Sequence, residues 1–291
     1  MAVATITLWA ASYIWSKQLL TWLDPIAAAE LRFAVSALLL LGLALSAGRA
    51  VAALRRHWRG YLLLGVGGIT CFQLLLLFSL EYTSSVNCAV VMALTPVLTM
   101  AGAAAVLGDP FSRRAVVGMG IAVAGALLAV LGDNPAGVAG LTLDRGEPIA
   151  LLAAGCMAFY TVASRRLLPA DVPPMTSTAL VVAFGALFLL PLSALAQAPR
   201  SEPTPDVALA LLGLTLGATV LGYLFWNHAV RVLGVGEPNL FYNFIPVLTM
   251  IMASLQGSPP HPEQMLGAAL VVAGVTLSMA PQRHHAPTAH D

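Results

Sequence analysis

Charge is what this 291-residue chain has least of: only 9% of its residues are Asp, Glu, Lys or Arg, where a soluble domain carries about 25%. With 59% hydrophobic residues and a mean hydropathy of +0.86, the chain has more apolar area than a water-facing surface tolerates, and the excess requires lipid. A net charge of +1 provides no field for nucleic acid or for an acidic partner. Lysine occurs once, as Lys17 in a Ser-Lys-Gln context, so a GxxxxGKS/T phosphate loop is missing and no nucleotide-driven pump is encoded. Cys71, Cys88 and Cys156 each sit alone inside an apolar run, without CxxC spacing or a nearby His pair. That excludes a disulfide framework or zinc site and leaves them as small buried hydrophobes. HExxH, GxSxG and clustered carboxylates are missing as well, so nothing points to an enzyme, a metal or a cofactor. The first segment lacks a basic n-region and runs on into further spans, so a cleaved signal peptide is not expected.

What is present is apolar runs long enough to cross a bilayer. About 20 residues of helix span its roughly 30 Å of hydrocarbon. Ten such runs are expected, at 2–20, 25–46, 60–80, 84–107, 112–132, 148–168, 176–196, 205–230, 236–256 and 263–280. Asp24-Pro25, Gly108-Asp109-Pro110, Pro173-Pro174 and Ser258-Pro259-Pro260 punctuate them, because proline lacks a donor and restricts the residue before it. The tail 281–291 has no apolar pattern and is expected to be disordered.

Alternating the ends of these spans sorts the basic residues. Arg49, Arg55, Arg56, Arg59, Arg113, Arg114, Arg165, Arg166, Arg231 and Arg283 fall on the side of the N-terminus; Lys17, Arg145 and Arg200 fall on the other. Ten against three places both termini in the cytoplasm by the positive-inside rule. Trp22 and Trp58, near span ends, read as interface anchors.

The strongest signal is internal. Phe78 to Met100 reads FSLEYTSSVNCAVVMALTPVLTM, and His228 to Met250 reads HAVRVLGVGEPNLFYNFIPVLTM; both end in PVLTM, 150 residues apart. GMGIAVAG at 118–125 matches GAALVVAG at 267–274 with an offset of 149, and Ser16-Lys17 falls over Ser164-Arg165 with an offset of 148. Drifting offsets are what a duplicated unit with gaps in its loops produces. The fold expected is therefore an all-α integral membrane protein of ten transmembrane helices, built as a first five-helix repeat (1–132), a connecting loop (133–147) and a second five-helix repeat (148–280). A unit with an odd number of spans re-enters from the opposite side, so the halves are an inverted repeat, the arrangement that gives alternating access to one central site.

Polar side chains within lipid-embedded helices face an interior or a wet cavity. Asn239, Tyr242, Asn243 and Pro246 lie on one face of the ninth span at i, i+3, i+4 and i+7. The eighth offers Thr219, Tyr223, Trp226 and Asn227, and the first Trp9, Ser12, Tyr13 and Ser16. The sixth presents Met157, Tyr160, Thr161 and Ser164 at positions matched to the first. Thr70 and Gln73 come from the third span, and Met92, Thr95 and Thr99 from the fourth. Tyr242, Asn243, Trp226, Tyr223, Asn239, Gln73, Tyr160, Ser12, Thr95 and Met92 are the expected substrate lining. Its mix of aromatic faces and neutral hydrogen-bonding groups suits an amphiphilic metabolite. The alternative for each Ser, Thr or Asn is helix-to-helix glue. Pro96 and Pro246, matched in helices 4 and 9, read as paired hinges or static bends. Gly118, Ala122 and Gly125, with Gly267 and Gly274, read as surfaces for close helix contact. Ionisable groups within the spans are few: Glu30, Arg32 and His228 are the possible charge partners. Arg32 is suited either to a carboxylate or to helix-end carbonyls, and His228 to a proton or a structural hydrogen bond.

Ten spans in two halves, the Leu31-Arg32-Phe33 run, and a proline-bearing fourth span followed by a Gly-Asp-Pro link resemble EamA-type members of the drug/metabolite transporter superfamily, over roughly residues 2–280. The family's Gly-Glu after helices 4 and 9 reads here as Gly108-Asp109 and Gly257-Ser258, a departure in both halves. Within the superfamily the aromatic lining is similar to the YddG-type amino-acid exporters. The resemblance implies a secondary exporter of amino acids, aromatic ones among them, in a bacterial inner membrane, with membrane lipid as surroundings and neither cofactor nor nucleic acid as partner. A nucleotide-sugar or multidrug carrier of the same superfamily is the alternative, but phosphate needs more cations than Arg32 alone. A membrane-embedded lipid-modifying enzyme would need a nucleophile or metal set that the chain does not display.

Overall fold

The structure, a computed structural model, describes residues 1–48, 50–108, 112–132, 145–233, 241 and 243–279. Asn239 and Tyr242 of the expected lining, most of the 133–147 connection and the 281–291 tail therefore lie outside the described residues. Helix follows helix throughout: α1 Ala2–Leu19, α2 Pro25–Ser46, α3 Ala50–Tyr82, α4 Ser85–Leu107, α5 Arg113–Gly132, α6 Gly146–Leu167, α7 Pro174–Leu192, α8 Pro205–Ala229, α9 Ile245–Leu255 and α10 Pro262–Met279. No strand occurs among the described residues. Seven of these helices, α2 to α8, are long and apolar enough on their own to cross a membrane. The seventeen residues Pro262–Ser278 and the eleven of α9 are apolar but shorter. The first helix is diluted by Ser12, Ser16, Lys17 and Gln18.

The punctuation works as local chemistry requires. Asp24 accepts from the N–H of Ile26 at 2.8 Å and of Ala27 at 3.4 Å, capping α2 ahead of Pro25. Its second oxygen accepts from Gln197 N–H at 2.9 Å, so one carboxylate serves two segments 173 residues apart. Asp24→Ala should lower the thermal midpoint in detergent by several degrees, because a lost cap costs about 1 kcal/mol and the Gln197 N–H is left without its acceptor. Asp24→Asn should lower it less, which a side-by-side melting curve would show. At the other end of a helix, Gly108 closes α4 with φ +76°, a conformation that only glycine adopts cheaply.

Three features depart from simple rods. The third helix begins near residue 50 rather than 60 and bends at His57, whose φ of −124° is not helical. Arg55, Arg56 and Arg59 make this added stretch too polar for hydrocarbon, so it extends the helix beyond the apolar run. The third and eighth helices each contain a π-helical stretch, Val66–Cys71 and Gly213–Leu221. Their glycines let neighbouring aromatic rings sit against the backbone: a Cβ on Gly68 would be 2.3 Å from the Tyr160 ring, and one on Gly213 3.0 Å from that of Trp15. Finally, Pro96 and Pro246 do not kink continuous helices. The fourth helix breaks at residues 93–94, and a turn at 243–244 precedes α9, so each proline occupies the first turn of a new helical segment. Proline has no N–H to leave unsatisfied there. The breaks in the helices thus lie at the residues just before the prolines.

Chain ends gather in two groups. Arg200 of the α7–α8 link pairs with Glu81, donates from Nη1 to Leu20 O at 3.0 Å and from its backbone N–H to Trp22 O at 2.7 Å. Thr83, two residues after Glu81, donates to Glu147 at the start of α6. At the other end, Arg56 meets Asp171 at 3.9 Å, Gly60 abuts the Leu167 carbonyl, and Arg166 donates to Val106 O at 2.9 Å. Between the ends, α5 packs along α10, α2 along α7, α6 on α3 and α4, and α1 on α8 and α9. In a bundle with lipid outside, such close contacts and the few interior hydrogen bonds replace the hydrophobic drive of a soluble core.

Candidate substrate site

The polar interior collects around α1, α2 and α8. Trp9 of α1 donates from Nε1 to the carbonyl of Ala218, in the π-helical stretch, at 2.9 Å. Gly222 makes this possible, since a Cβ there would be 2.8 Å from the indole nitrogen. The Trp9 ring meets Trp226 at 5.1 Å between centroids and Tyr223 edge-on at 6.2 Å. Tilted and edge-to-face pairs of this kind are favourable for aromatic quadrupoles. The three rings form one cluster, each only partly buried.

Arg32 supplies the charge beside it. Its side chain is buried, donates from Nε to Thr219 Oγ1 at 3.1 Å, and lies 5.1 Å from the Phe33 ring. Tyr223 is within electrostatic range of the guanidinium, and Tyr160 of α6 within range of Tyr223. Thr219 in turn donates to Leu214 O at 2.9 Å, five residues back, so the π-helical turn holds the hydroxyl that positions the arginine. Among the described residues Arg32 makes no hydrogen bond to a helix-end carbonyl. No carboxylate pairs with it among the described residues; Glu30, two positions away and half-buried, forms no salt bridge with it. An unpaired buried cation is costly, and in a membrane interior it marks a place where an anion belongs.

Two further donors are unsatisfied. Gln73 Nε2 and Asn243 Nδ2 are buried and find no hydrogen-bond partner among the described residues. Leaving such a group unpaired costs roughly 1–3 kcal/mol, which a bound ligand or water recovers. Asn243 stands in the turn that precedes α9. Other expected lining residues prove to be internal glue: Ser12 donates to Trp9 O at 2.6 Å, and Thr95 to Met92 O at 2.6 Å. Met92 is fully buried in the apolar core. Asn227 is committed to Tyr223 O at 2.8 Å and to Thr178 at 3.4 Å, while His228 is half-buried and has an interaction of its own. Trp9 and Thr219 are the additions that a list of lining residues built on the ninth helix passes over; both stand in stripes on the first and eighth helices, but their contacts cross 209 and 187 residues of chain.

The cluster can hold a flat apolar body between rings, an anionic group at Arg32, and hydrogen-bonding groups at the two amides. Gly68→Val should lower the melting temperature in detergent, because an added Cβ would lie 2.3 Å from Tyr160 Cδ2 and 2.8 Å from Tyr160 Cβ, an atom that no side-chain rotation moves aside.

Comparison with known proteins agrees with this architecture. The chain matches the EamA-like transporter family over residues 1–131 and 144–280. It is 31% identical over 268 residues to the uncharacterized transporter YyaM of Bacillus subtilis (strain 168), covering 91% of this chain and 88% of that one. It is 27% identical over 222 residues to a probable terminal-alkyne amino-acid exporter of Streptantibioticus cattleyicolor, covering 74% and 71% of the two chains. A protein of known crystal structure shares its fold, with a TM-score of 0.65 at 24% identity over 94% of this chain and 96% of that one. A multi-pass helical bundle matched over nearly all of its length by one family of carriers leaves a single assignment: the chain belongs to the EamA-like transporter family.

Proposed function

We propose that the protein is a secondary carrier that exports amino acids or related carboxylate-bearing amphiphiles by alternating access, with the carboxylate held at Arg32 and the apolar body against Trp9, Tyr223 and Trp226. The observation that carries this reading is the buried Arg32 guanidinium without a protein carboxylate, set beside partly exposed aromatic rings. Gln73 and Asn243 are proposed to meet the polar groups that remain. The similarity to a named amino-acid exporter supports the substrate class.

Ten crossings in two inverted halves are the proposed basis of alternating access, and three observations support them. The matched stretches 1–131 and 144–280 are nearly equal in length. Contacts between the halves come in exchanged pairs: α1 with α8 and α6 with α3, α1 with α9 and α6 with α4, α2 with α8 and α7 with α3. The α5–α10 contact has the same symmetry, with Gly118 against Gly274 and Gly125 against Gly267. Under the sequence offset of 149 each of these glycine pairs becomes the other, as an in-plane pseudo-two-fold requires. Cytoplasmic termini are proposed from the distribution of arginine, and a bacterial inner membrane from the similarity to bacterial transporters.

The test is transport. In liposomes carrying the purified protein, an aromatic amino acid should cross without ATP and should quench tryptophan fluorescence. Trp9→Ala or Tyr223→Ala should weaken that binding about tenfold. If no amino acid of any class binds or crosses, the substrate assignment is wrong.

A further inference from the structure

We propose that the start of α3 is a binding site for an anionic phospholipid, with the headgroup phosphodiester held by Arg55, Arg56 and Arg59 and the acyl chains lying along the apolar surface that begins at Leu63. The proposal needs the chain only as a multi-pass membrane protein and is independent of what it carries.

The sequence sets the pattern. Residues 50–60 read AVAALRRHWRG, and the small apolar residues turn inward while the arginines turn outward. Ala50, Ala53 and Tyr61 are buried; Arg55, Arg56, Trp58 and Arg59 are exposed. Two contacts fix this rotation. The Tyr61 hydroxyl lies 3.4 Å from Ser177 Oγ on α7. Gly60 sits so close to the end of α6 that an added Cβ would be 3.1 Å from Leu167 O. The basic face is thereby held outward.

Its place along the helix is that of a headgroup. Beyond the bend at His57, Arg59 and Leu63 share a face at i and i+4. Leu63 is 50% exposed and meets lipid; Arg59 stands one turn further out, about 6 Å along the axis. The headgroup layer is about 5–7 Å deep on each side of the hydrocarbon, so guanidinium and phosphate lie at one depth. Trp58, 45% exposed, marks the same level, since indole prefers the interface. Its ring centroid is 5.5 Å from the Arg59 guanidinium carbon, which keeps that cation beside the membrane surface.

Charge then selects an anion. Arg55 and Arg59 form no salt bridge among the described residues, and Arg56 meets only Asp171, at 3.9 Å, with both side chains largely in the open. An exposed pair of that kind is weak and yields to a phosphodiester, whose two free oxygens match the guanidinium fork. A zwitterionic choline headgroup brings a cation against the same three arginines. Inorganic phosphate meets the arginines but leaves Trp58 and Leu63 uncovered, and that apolar part of the face singles out a lipid.

The test is a titration of the full-length protein, stripped of lipid in a neutral detergent, with phosphatidylglycerol or phosphatidylcholine, the first bound lipid being followed by native mass spectrometry. Phosphatidylglycerol should bind roughly tenfold more tightly than phosphatidylcholine. An arginine at the membrane surface contributes about a factor of five, so Arg59→Gln should lose about fivefold for phosphatidylglycerol. The triple variant Arg55→Gln, Arg56→Gln, Arg59→Gln should bind the two lipids alike. The replaced side chains are exposed, so the melting temperature should not change; if the triple variant does not purify, Arg59→Gln alone decides. Arg113→Gln with Arg114→Gln, at the start of α5, is the control and should keep the wild-type preference. Equal binding of both lipids by wild type, a preference that survives the triple variant, or an equal loss in the control overturns the proposal. So does displacement of the lipid by inorganic phosphate at equal concentration, which would mark a site for a soluble anion. No substrate enters the measurement. A protein that selects phosphatidylglycerol through these arginines yet moves no amino acid would refute the proposed substrate and leave the lipid site standing.

Discussion

Arg32→Met should abolish tight binding of any carboxylate-bearing substrate while leaving the empty protein at least as stable as before. The two halves of this expectation have opposite signs, which is what makes it informative. In the folded chain Arg32 is a buried cation with one hydrogen bond, to Thr219, and no counter-charge among the described residues. Replacing it with an unbranched apolar side chain of similar length removes a desolvation cost, so the melting temperature of the ligand-free protein should stay level or rise. Binding should fall on the order of a hundredfold, since a charge-assisted contact to a carboxylate in a low-dielectric interior is lost. Arg32→Lys should recover part of the affinity, because the ammonium keeps the charge but not the forked donor geometry. A substrate analogue with its carboxylate converted to an amide should bind wild type and Arg32→Met alike. If that analogue also loses a hundredfold on mutation, the guanidinium supports the cluster's shape and does not read the carboxylate. Fluorescence titration and thermal melting on the same preparations separate these outcomes.

The second large effect concerns folding. The α5–α10 pair is joined so closely that a Cβ on Gly274 would lie 2.5 Å from the backbone nitrogen of Ala122 and from the carbonyl oxygen of Gly118; one on Gly125 would lie 2.6 Å from Gly267 O. The colliding atoms are backbone, which cannot rotate aside. Gly274→Val or Gly125→Val must push the helices apart along their whole contact, and overpacking of a tight interface costs about 1–3 kcal/mol or more per site. The melting temperature should drop on the order of 10 °C, and the double variant should fail to give a monodisperse peak in detergent. Gly120 is the control. It lies in the same helix with nothing within 4 Å of an added Cβ, so Gly120→Ala should be neutral or slightly stabilising through better helix propensity. Equal loss of stability at Gly120 and Gly274 would show that the helix needs glycine for a reason other than this contact.

Much of this was legible in the chain itself. Apolar runs of bilayer length, broken by Asp24-Pro25 and Gly108, carry local rules that act whatever surrounds them, and these helices begin and end close to where those rules put them. The match between 118–125 and 267–274 also singled out the glycines that meet in space. The candidate site was legible by residue type, in the stripes bearing Trp9, Tyr223 and Trp226 that form the ring cluster, but the contacts of each residue were not. A hydroxyl such as that of Ser12 or Thr95 looks the same in sequence whether it faces a substrate or its own helix carbonyl. The breaks before Pro96 and Pro246 were likewise hidden, because a proline at a kink and a proline opening a new helical segment are the same letter in the same apolar run.

What the sequence alone determined is therefore the class of environment, the helical elements, and the duplicated pattern, since hydropathy and backbone chemistry are properties of short segments. Which donor meets which acceptor was decided only in three dimensions. Trp9 finds Ala218 across 209 residues, Arg32 finds Thr219 across 187, and Thr83 finds Glu147 across 64. Such partners are chosen by how helices cross and by which glycines let them approach, and those choices depend on all the neighbouring helices at once.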